Sequence, residues 1–260
     1  MTRSFKLTVA YDGTDFAGWQ VQPDQPTIQS ELQKALRRIA KQDVQAIGSG
    51  RTDSGVHALA QVASCQIANW NATAADLKTA LNTQLPDSIV VTDSIDAPDD
   101  FHAIRDAIGK RYRYQMQLGG TRDVFGHRYH WHFKFPIQID PMREAAAKMV
   151  GEKDFACFQA AGGDRKSTVR DIRSCDLIDE STENHRRIAI EVEANGFLYN
   201  IVRNIVGTLV EVGRGKHSAE WVDDVIAQKN RDNAGPTAPP QGLFLKEVHY
   251  EAFDRQSIKR

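Results

Sequence analysis

No stretch of this 260-residue chain approaches the run of roughly eighteen apolar residues that a membrane-spanning helix needs. The apolar run in the opening MTRSFKLTVAYDG stops at Asp12, too short for a secretory leader. Cysteine is scarce. Cys65, Cys157 and Cys175 are odd in number and far apart, which argues against a disulfide framework and for reduced thiols in a cytoplasmic protein. Neither charge is in excess: 33 Lys and Arg face 34 Asp and Glu, a formal net charge of −1. That excludes a uniformly basic coat. The first 108 residues lean acidic and the remainder basic, so a localised basic groove stays open. The chain also lacks G-x-x-x-x-G-K-[ST], and with it a phosphate-binding P-loop. Only one Asp-Ser-Gly is present and no Asp-Thr-Gly, so an aspartic-protease pair cannot be assembled.

What is there suits a globular protein: 41% of residues are hydrophobic and 26% charged, enough for one large domain or two moderate ones. The alternation of FKLTVAY predicts a strand over 5–11, followed by a turn at Asp12–Gly13. TIQSELQKALRRIA predicts a helix with Thr27 as its N-cap, since Ile28, Leu32, Ala35, Leu36 and Ile39 recur at helical spacing. VHALAQVASCQI is a second strand, TAADLKTALNTQL a helix stopped by Pro86, and SIVVTDSIDA a third strand. From Gly109 the same grammar repeats more loosely. KRYRYQMQL is a strand. DPMREAAAKMVGEKDF is a helix with Pro141 at its start and Gly151 near its end. TVRDIRSCDLIDE and RRIAIEVEANGF are strands. LYNIVRNIVGTLVEVGRG is a helix apolar on more than one face, and therefore central. SAEWVDDVIAQK is a further helix, and a Pro/Gly loop leads into a last strand. The order predicts an α/β or α+β sandwich, as one continuous sheet or two packed subdomains with a cleft between them.

The chemistry concentrates in GSGRTDSGVHA, residues 48–58. Asp53 in Asp-Ser-Gly is ordinary turn chemistry. Glycines around it, however, let a ligand approach the backbone closely, and Arg51 can hold the carboxylate ionised. An exposed, ionised Asp serves as a nucleophile or general base. A glycosidase would need a second carboxylate, for which Asp12 or Asp15 is available; the other option is single-Asp covalent catalysis on a nucleoside. His127, His130 and His132 in HRYHWH raise a metal site, with His130 and His132 on one strand face. No nearby carboxylate or thiol completes such a site, and an aromatic-rich strand is the better account. In GKRYRYQ, Tyr112 and Tyr114 share one face and Arg111 and Arg113 the other. That is a half-buried strand, or a ring that stacks on a base beside cations for phosphates. Arg203 sits among Leu, Ile and Val in LYNIVRNIVGTLV and must be paired, by any nearby acid or by Asp53.

Taken with YDGTDFAGWQ, LNTQLPDSIVV, DDFHA and AGPTAPPQGLFL, these motifs run in order along nearly the whole chain. They resemble the pseudouridine synthases of the TruA type, which modify the anticodon arm of transfer RNA. The resemblance implies an α+β fold of two similar halves, residues 1–108 with the Asp loop and 109–260 with the Tyr strand and Arg helix. These would share a central, mostly antiparallel sheet with flanking helices and a cleft between. It also implies a homodimer, a transfer RNA substrate modified at positions 38–40, no cofactor and no metal. By position it implies that Asp53 is the catalytic aspartate, Arg51 the motif arginine that fills the place of the flipped nucleotide, Tyr112 the active-site tyrosine and Arg203 the helix arginine that pairs with the aspartate. One departure is visible: many members carry Arg directly after FHA, where Ile104 stands here, with Arg105 one position later. On a strand that shift reverses the side chain's face.

The implied reaction detaches uracil, turns it and rejoins it through carbon, on a uridine first taken out of its stack. Asp53 attacks ribose C1′, adds to C6 of the base, or takes a proton on a glycal route; the residues leave all three open. Tyr112 stacks on the base and assists loss of the C5 proton. Rival readings are a glycosidase, which releases free base, and a non-catalytic RNA-binding module, in which Asp53 is dispensable.

Overall fold

The computed structural model describes residues 1–162 and 167–252. Along the chain the described elements are β1 (Thr2–Tyr11), α1 (Ile28–Ala40), β2 (Ile47–Gly48), β3 (His57–Ala68), α2 (Ala74–Asn82), β4 (Ile89–Ala97) and β5 (Ala107–Leu118). There follow β6 (Trp131–Phe133), α3 (Ile139–Ala147), β7 (Gly151–Asp154), β8 (Val169–Asp179), β9 (Arg187–Ala194), α4 (Ile201–Gly213), α5 (Trp221–Gln228) and β10 (Leu243–Tyr250). The class is mixed α+β. The chain divides into two compact units, residues 1–108 with the segment returning from Phe244, and residues 109–243.

In the first unit the strands run β4-β1-β3-β10, with β2 paired to β3. β1 is antiparallel to both neighbours, and its alternation buries Phe5, Leu7, Val9 and Tyr11. Both of its ladders slip register between Thr8 and Tyr11. Such bulges bend a strand and re-aim the chain beyond it; here that chain is the loop of residues 12–19, which supports residues 48–56. The predicted cap of α1 is present: Thr27 Oγ1 accepts the Ser30 N–H at 3.2 Å, and Ser30 Oγ accepts the Thr27 N–H at 3.2 Å. Ile28, Leu32, Ala35 and Leu36 are the face it buries. β10 joins this unit by parallel pairing, Phe244 opposite His57 and Leu245 opposite Ala58.

In the second unit the order is β5-β9-β8-β7, with β6 parallel to β5. α4 is buried along almost its whole length, as its apolar faces predict, and α3 packs against it and against β8. The helix expected from Asp140 onward ends earlier, at Ala147. Gly151–Asp154 instead pairs antiparallel with β8, so strand pairing overrides helix propensity there. Cys65, Cys157 and Cys175 are buried single thiols. No helix among the described residues is long and apolar enough to cross a membrane.

Candidate active site

Asp53 lies half-buried on the loop between β2 and β3, with exposed Arg51 two residues before it and buried Thr52 between them. The turn chemistry of Asp-Ser-Gly is realised. Asp53 O accepts the Val56 N–H at 3.1 Å, with Gly55 at φ +74° as the third residue of the turn. Around that turn the loop is fastened from two sides.

The first fastening comes from residues 12–19. Thr52 O accepts the Trp19 N–H at 3.0 Å, and Ser54 Oγ donates to Phe16 O at 3.2 Å. The backbones meet so closely that a Cβ on Gly18, itself at φ +94°, would stand 2.4 Å from Thr52 O. A Cβ on Gly13 would stand 1.9 Å from Val56 O. Only glycine fits at either position. The two motifs YDGTDFAGWQ and GSGRTDSGVHA are thus one structural unit.

The second fastening is a buried polar network. Tyr11 and Thr52 share a hydrogen bond of 2.8 Å between their hydroxyls. Burial pushes the Tyr11 phenol above its ordinary range, while its bonds to Thr52 and Gln61 pull the other way. Gln61, fully buried on β3, accepts from Ser49 Oγ at 2.6 Å and donates to Gly50 O at 2.9 Å. His57 closes the loop. Its Nδ1 lies 3.1 Å from the Gly13 N–H and 3.1 Å from an Asp12 carboxylate oxygen, and its ring stacks on Phe244 at 4.7 Å. Asp12 also accepts from the Thr14 N–H at 3.0 Å and Thr14 Oγ1 at 2.6 Å, an Asx turn. Tyr11, Trp19, Thr52 and Gln61 were not singled out by sequence reasoning. Each is buried, and nothing local in the sequence shows that it supports the loop.

The second unit carries the other two candidates. Tyr112 and Tyr114 do share the buried face of β5. The Tyr112 ring meets Phe197 edge-on at 4.7 Å. Tyr114 is wholly buried and donates to Pro239 O at 2.7 Å, so it belongs to the core. Arg111 and Arg113 are held in ion pairs on the opposite face. They stand opposite Glu193 and Glu191 on β9, with Arg111 Nε 3.1 Å from Glu193 and Arg113 Nη1 2.7 Å from Glu191; Arg113 also pairs with Glu180. These are cross-strand ion pairs. Burial works against the Arg113 charge, but its carboxylate partners outweigh it and raise its pKa.

Arg203 lies in the first turn of α4. Its Nε donates to Ala238 O at 2.7 Å and its Nη1 to Asn200 Oδ1 at 2.9 Å, and the Ala238 N–H returns to Arg203 O at 3.1 Å. The AGPTAPP segment therefore orients this guanidinium.

The three histidines of HRYHWH each bond a backbone carbonyl of their own loop: His127 to Val124 O at 2.6 Å, His130 to Gly126 O at 3.1 Å and His132 to Gly119 O at 3.1 Å. Among the described residues no group of three or more His, Cys, Asp or Glu is placed to hold a metal ion. Ile104 is half-exposed and lies with Arg105 in a turn rather than on a strand. The face-reversal expected for Arg105 does not apply. Its guanidinium instead bonds Asp106 at 2.9 Å and Asp100 O.

The model of a family described as tRNA pseudouridine synthase matches residues 7–104 and 145–251. The chain is 44% identical over 248 residues to the tRNA pseudouridine synthase A of Thermoanaerobacter sp. (strain X514), covering 95% of this chain and 100% of that one. It is 43% identical over 252 residues to that of Latilactobacillus sakei (96% and 100%) and 44% identical over 245 residues to that of Myxococcus xanthus (94% and 91%).

Proposed function

The chain belongs to the tRNA pseudouridine synthase family and is therefore an isomerase, and from that premise we propose that it converts uridines 38, 39 and 40 in the anticodon stem-loop of transfer RNA to pseudouridine. The observation that carries the site assignment is the loop around Asp53. The loop is fastened by Tyr11, Trp19 and Gln61, while Asp53 itself is only half-buried. A catalytic group held this way loses little freedom on the way to the transition state.

The isomerisation breaks the bond between N1 and ribose C1′ and forms one between C5 and C1′. The C5 proton leaves, N1 gains one, and no electrons are exchanged. Attack on C1′, addition to C6 and proton abstraction toward a glycal all need an ionised Asp53. The target uridine leaves its stack before it reacts, and Arg51, two residues from Asp53, takes the vacated place. Tyr112 presents its ring to the base and assists loss of the C5 proton. Arg203 keeps the reacting carboxylate charged; Ala238 and Asn200 orient its guanidinium within its own unit. The enzyme works as a cytoplasmic homodimer, in which a second surface grips the RNA away from the catalytic loop.

The test is Asp53→Asn, which keeps side-chain shape and turn capacity but removes the charge. Tritium release from transfer RNA labelled at uridine C5 is expected to fall by roughly three orders of magnitude or more, as for loss of a covalent nucleophile. Melting temperature and RNA affinity should stay near wild type. A folded, RNA-binding variant that releases tritium at the wild-type rate would overturn the mechanism. Release of free uracil by the wild type would reassign the chain as a glycosidase.

A further inference from the structure

The segment 119–130, between β5 and β6, has no role in the site above, yet several side chains fasten it. Gln117, buried on β5, donates to Thr121 O at 2.7 Å and accepts the Asp123 N–H at 3.0 Å. Asp123 accepts the Phe125 N–H at 2.9 Å and pairs with Arg187 Nη2 at 2.5 Å. The backbone N–H groups of Gly126 and Phe125, with the Arg187 charge, hold its carboxyl below the usual range. The three histidines complete the fastening through the carbonyls of Val124, Gly126 and Gly119. Burial holds the pKa of His130 below its ordinary value, so it donates as a neutral ring.

All this order presents one apolar tip to solvent. Phe125 is 91% exposed and Val124 is 60% exposed. The backbone beneath the ring is fixed, with the Phe125 N–H donating to Asp123 Oδ1, while the ring itself projects into solvent. Two guanidinium groups share the loop with it: Arg122 and Arg128 are both exposed, and the loop's acid, Asp123, pairs with Arg187. An exposed flat ring with two arginines on the same loop fits a polyanion with exposed planar faces.

We infer that residues 119–130 form a second RNA contact, in which Phe125 stacks on an unpaired nucleobase of the transfer RNA while Arg122 and Arg128 meet its phosphates. The inference rests on the isomerase reading for the identity of the RNA. It assigns the histidines of HRYHWH to holding the loop.

Equilibrium binding of an unmodified transfer RNA transcript tests it, with pseudouridine formation by the wild type measured separately. Phe125→Leu keeps an apolar side chain but has no π face, and its Kd should rise about tenfold, in the range for one lost base stack. Phe125→Tyr should bind within about twofold of wild type, because the ring is kept. Both should melt at the wild-type temperature. Arg122→Ala should lower the slope of log K against log salt by about one. An unchanged Kd for Phe125→Leu refutes the inference even if the wild type makes pseudouridine. Failure of the wild type to make pseudouridine refutes the isomerase reading instead. A Phe125→Ser protein that halves in mass by light scattering, with its RNA affinity per chain intact, assigns the loop to a second copy of this chain and refutes RNA stacking.

Discussion

The Tyr11 hydroxyl can be removed with almost no change of shape, and Tyr11→Phe therefore isolates what the network beneath Asp53 contributes. The phenol is buried and bonded at 2.8 Å to Thr52 Oγ1, itself buried. Deleting it leaves that threonine hydroxyl without this partner where water does not reach. Orphaning a buried polar group costs about 1–3 kcal/mol. At ~2–4 °C per kcal/mol for a chain of this size, a loss of about 2 kcal/mol lowers Tm by roughly 4–8 °C. Gln61 also loses the Tyr11 hydroxyl but keeps its bonds to Ser49 and Gly50, so most of the damage falls on the Thr52 side of the loop. Thr52 precedes Asp53, so kcat for pseudouridine formation should fall about tenfold while KM stays near wild type, since only a step that needs the carboxylate in place is affected. Thr52→Val should reproduce both effects from the other side. In the double variant neither hydroxyl is stranded, and the combined stability loss should be smaller than the sum by about 1 kcal/mol or more. Thermal melts and steady-state kinetics on the four proteins suffice. A Tyr11→Phe protein that melts within about 1 °C of wild type, or a strictly additive cycle, refutes the claim that this bond holds the Asp53 loop.

Stability should fall steeply under alkali. Burial pushes the thiols of Cys65, Cys157 and Cys175 from 9.0 up to about 12. Above pH 9 the unfolded chain thus releases protons that the folded one retains, and each thiol costs about 1.4 kcal/mol per pH unit until pH 12. Burial also raises the phenols of Tyr11, Tyr114 and Tyr250, which add to the decline above pH 10. A Tm profile that is flat from pH 8 to 11 would contradict this. Gly18→Ala should destabilise by roughly 2–4 kcal/mol, combining a left-handed backbone with a Cβ forced against Thr52 O. Gly215→Ala, at φ +74° with nothing within 4 Å, should cost about 1–2 kcal/mol and leave activity intact; equal effects of the two on turnover would show that the contact between the two motifs does not matter.

Local pattern carried much of the fold. The alternation of β1 and the helical spacing of α1 with its Thr27 cap were legible because each element satisfies its own backbone within a short window. β2 and β6 were not, being two and three residues long and defined only by what they pair with. The end of α3 was overrun because Gly151–Asp154 is a strand only in the presence of β8. No local signal says that β10 returns to lie parallel to β3.

The loop of Asp53 was legible for a different reason: a cluster of glycines beside an Arg and an Asp is chemically odd wherever it folds. Its support was not. Tyr11 reaches Thr52 across 41 positions of sequence, and the Asp12 loop reaches His57 across 44. Such pairs become visible only once β1 and β3 are laid side by side. The same limit left Arg111 and Arg113 open between outward strand residues and phosphate ligands, since only β9 brings Glu193 and Glu191 opposite them. A charged side chain shows its role in sequence only when its partner is local. The histidines of HRYHWH are the instructive case: their partners are local, but they are backbone carbonyls, which any sequence supplies, so three potential metal ligands turned out to be fastenings. That distinction also explains why Phe125 is informative. Its ring stands 91% exposed above a backbone fixed by Asp123, and a planar face offered to solvent beside two arginines is what the inferred RNA contact would use.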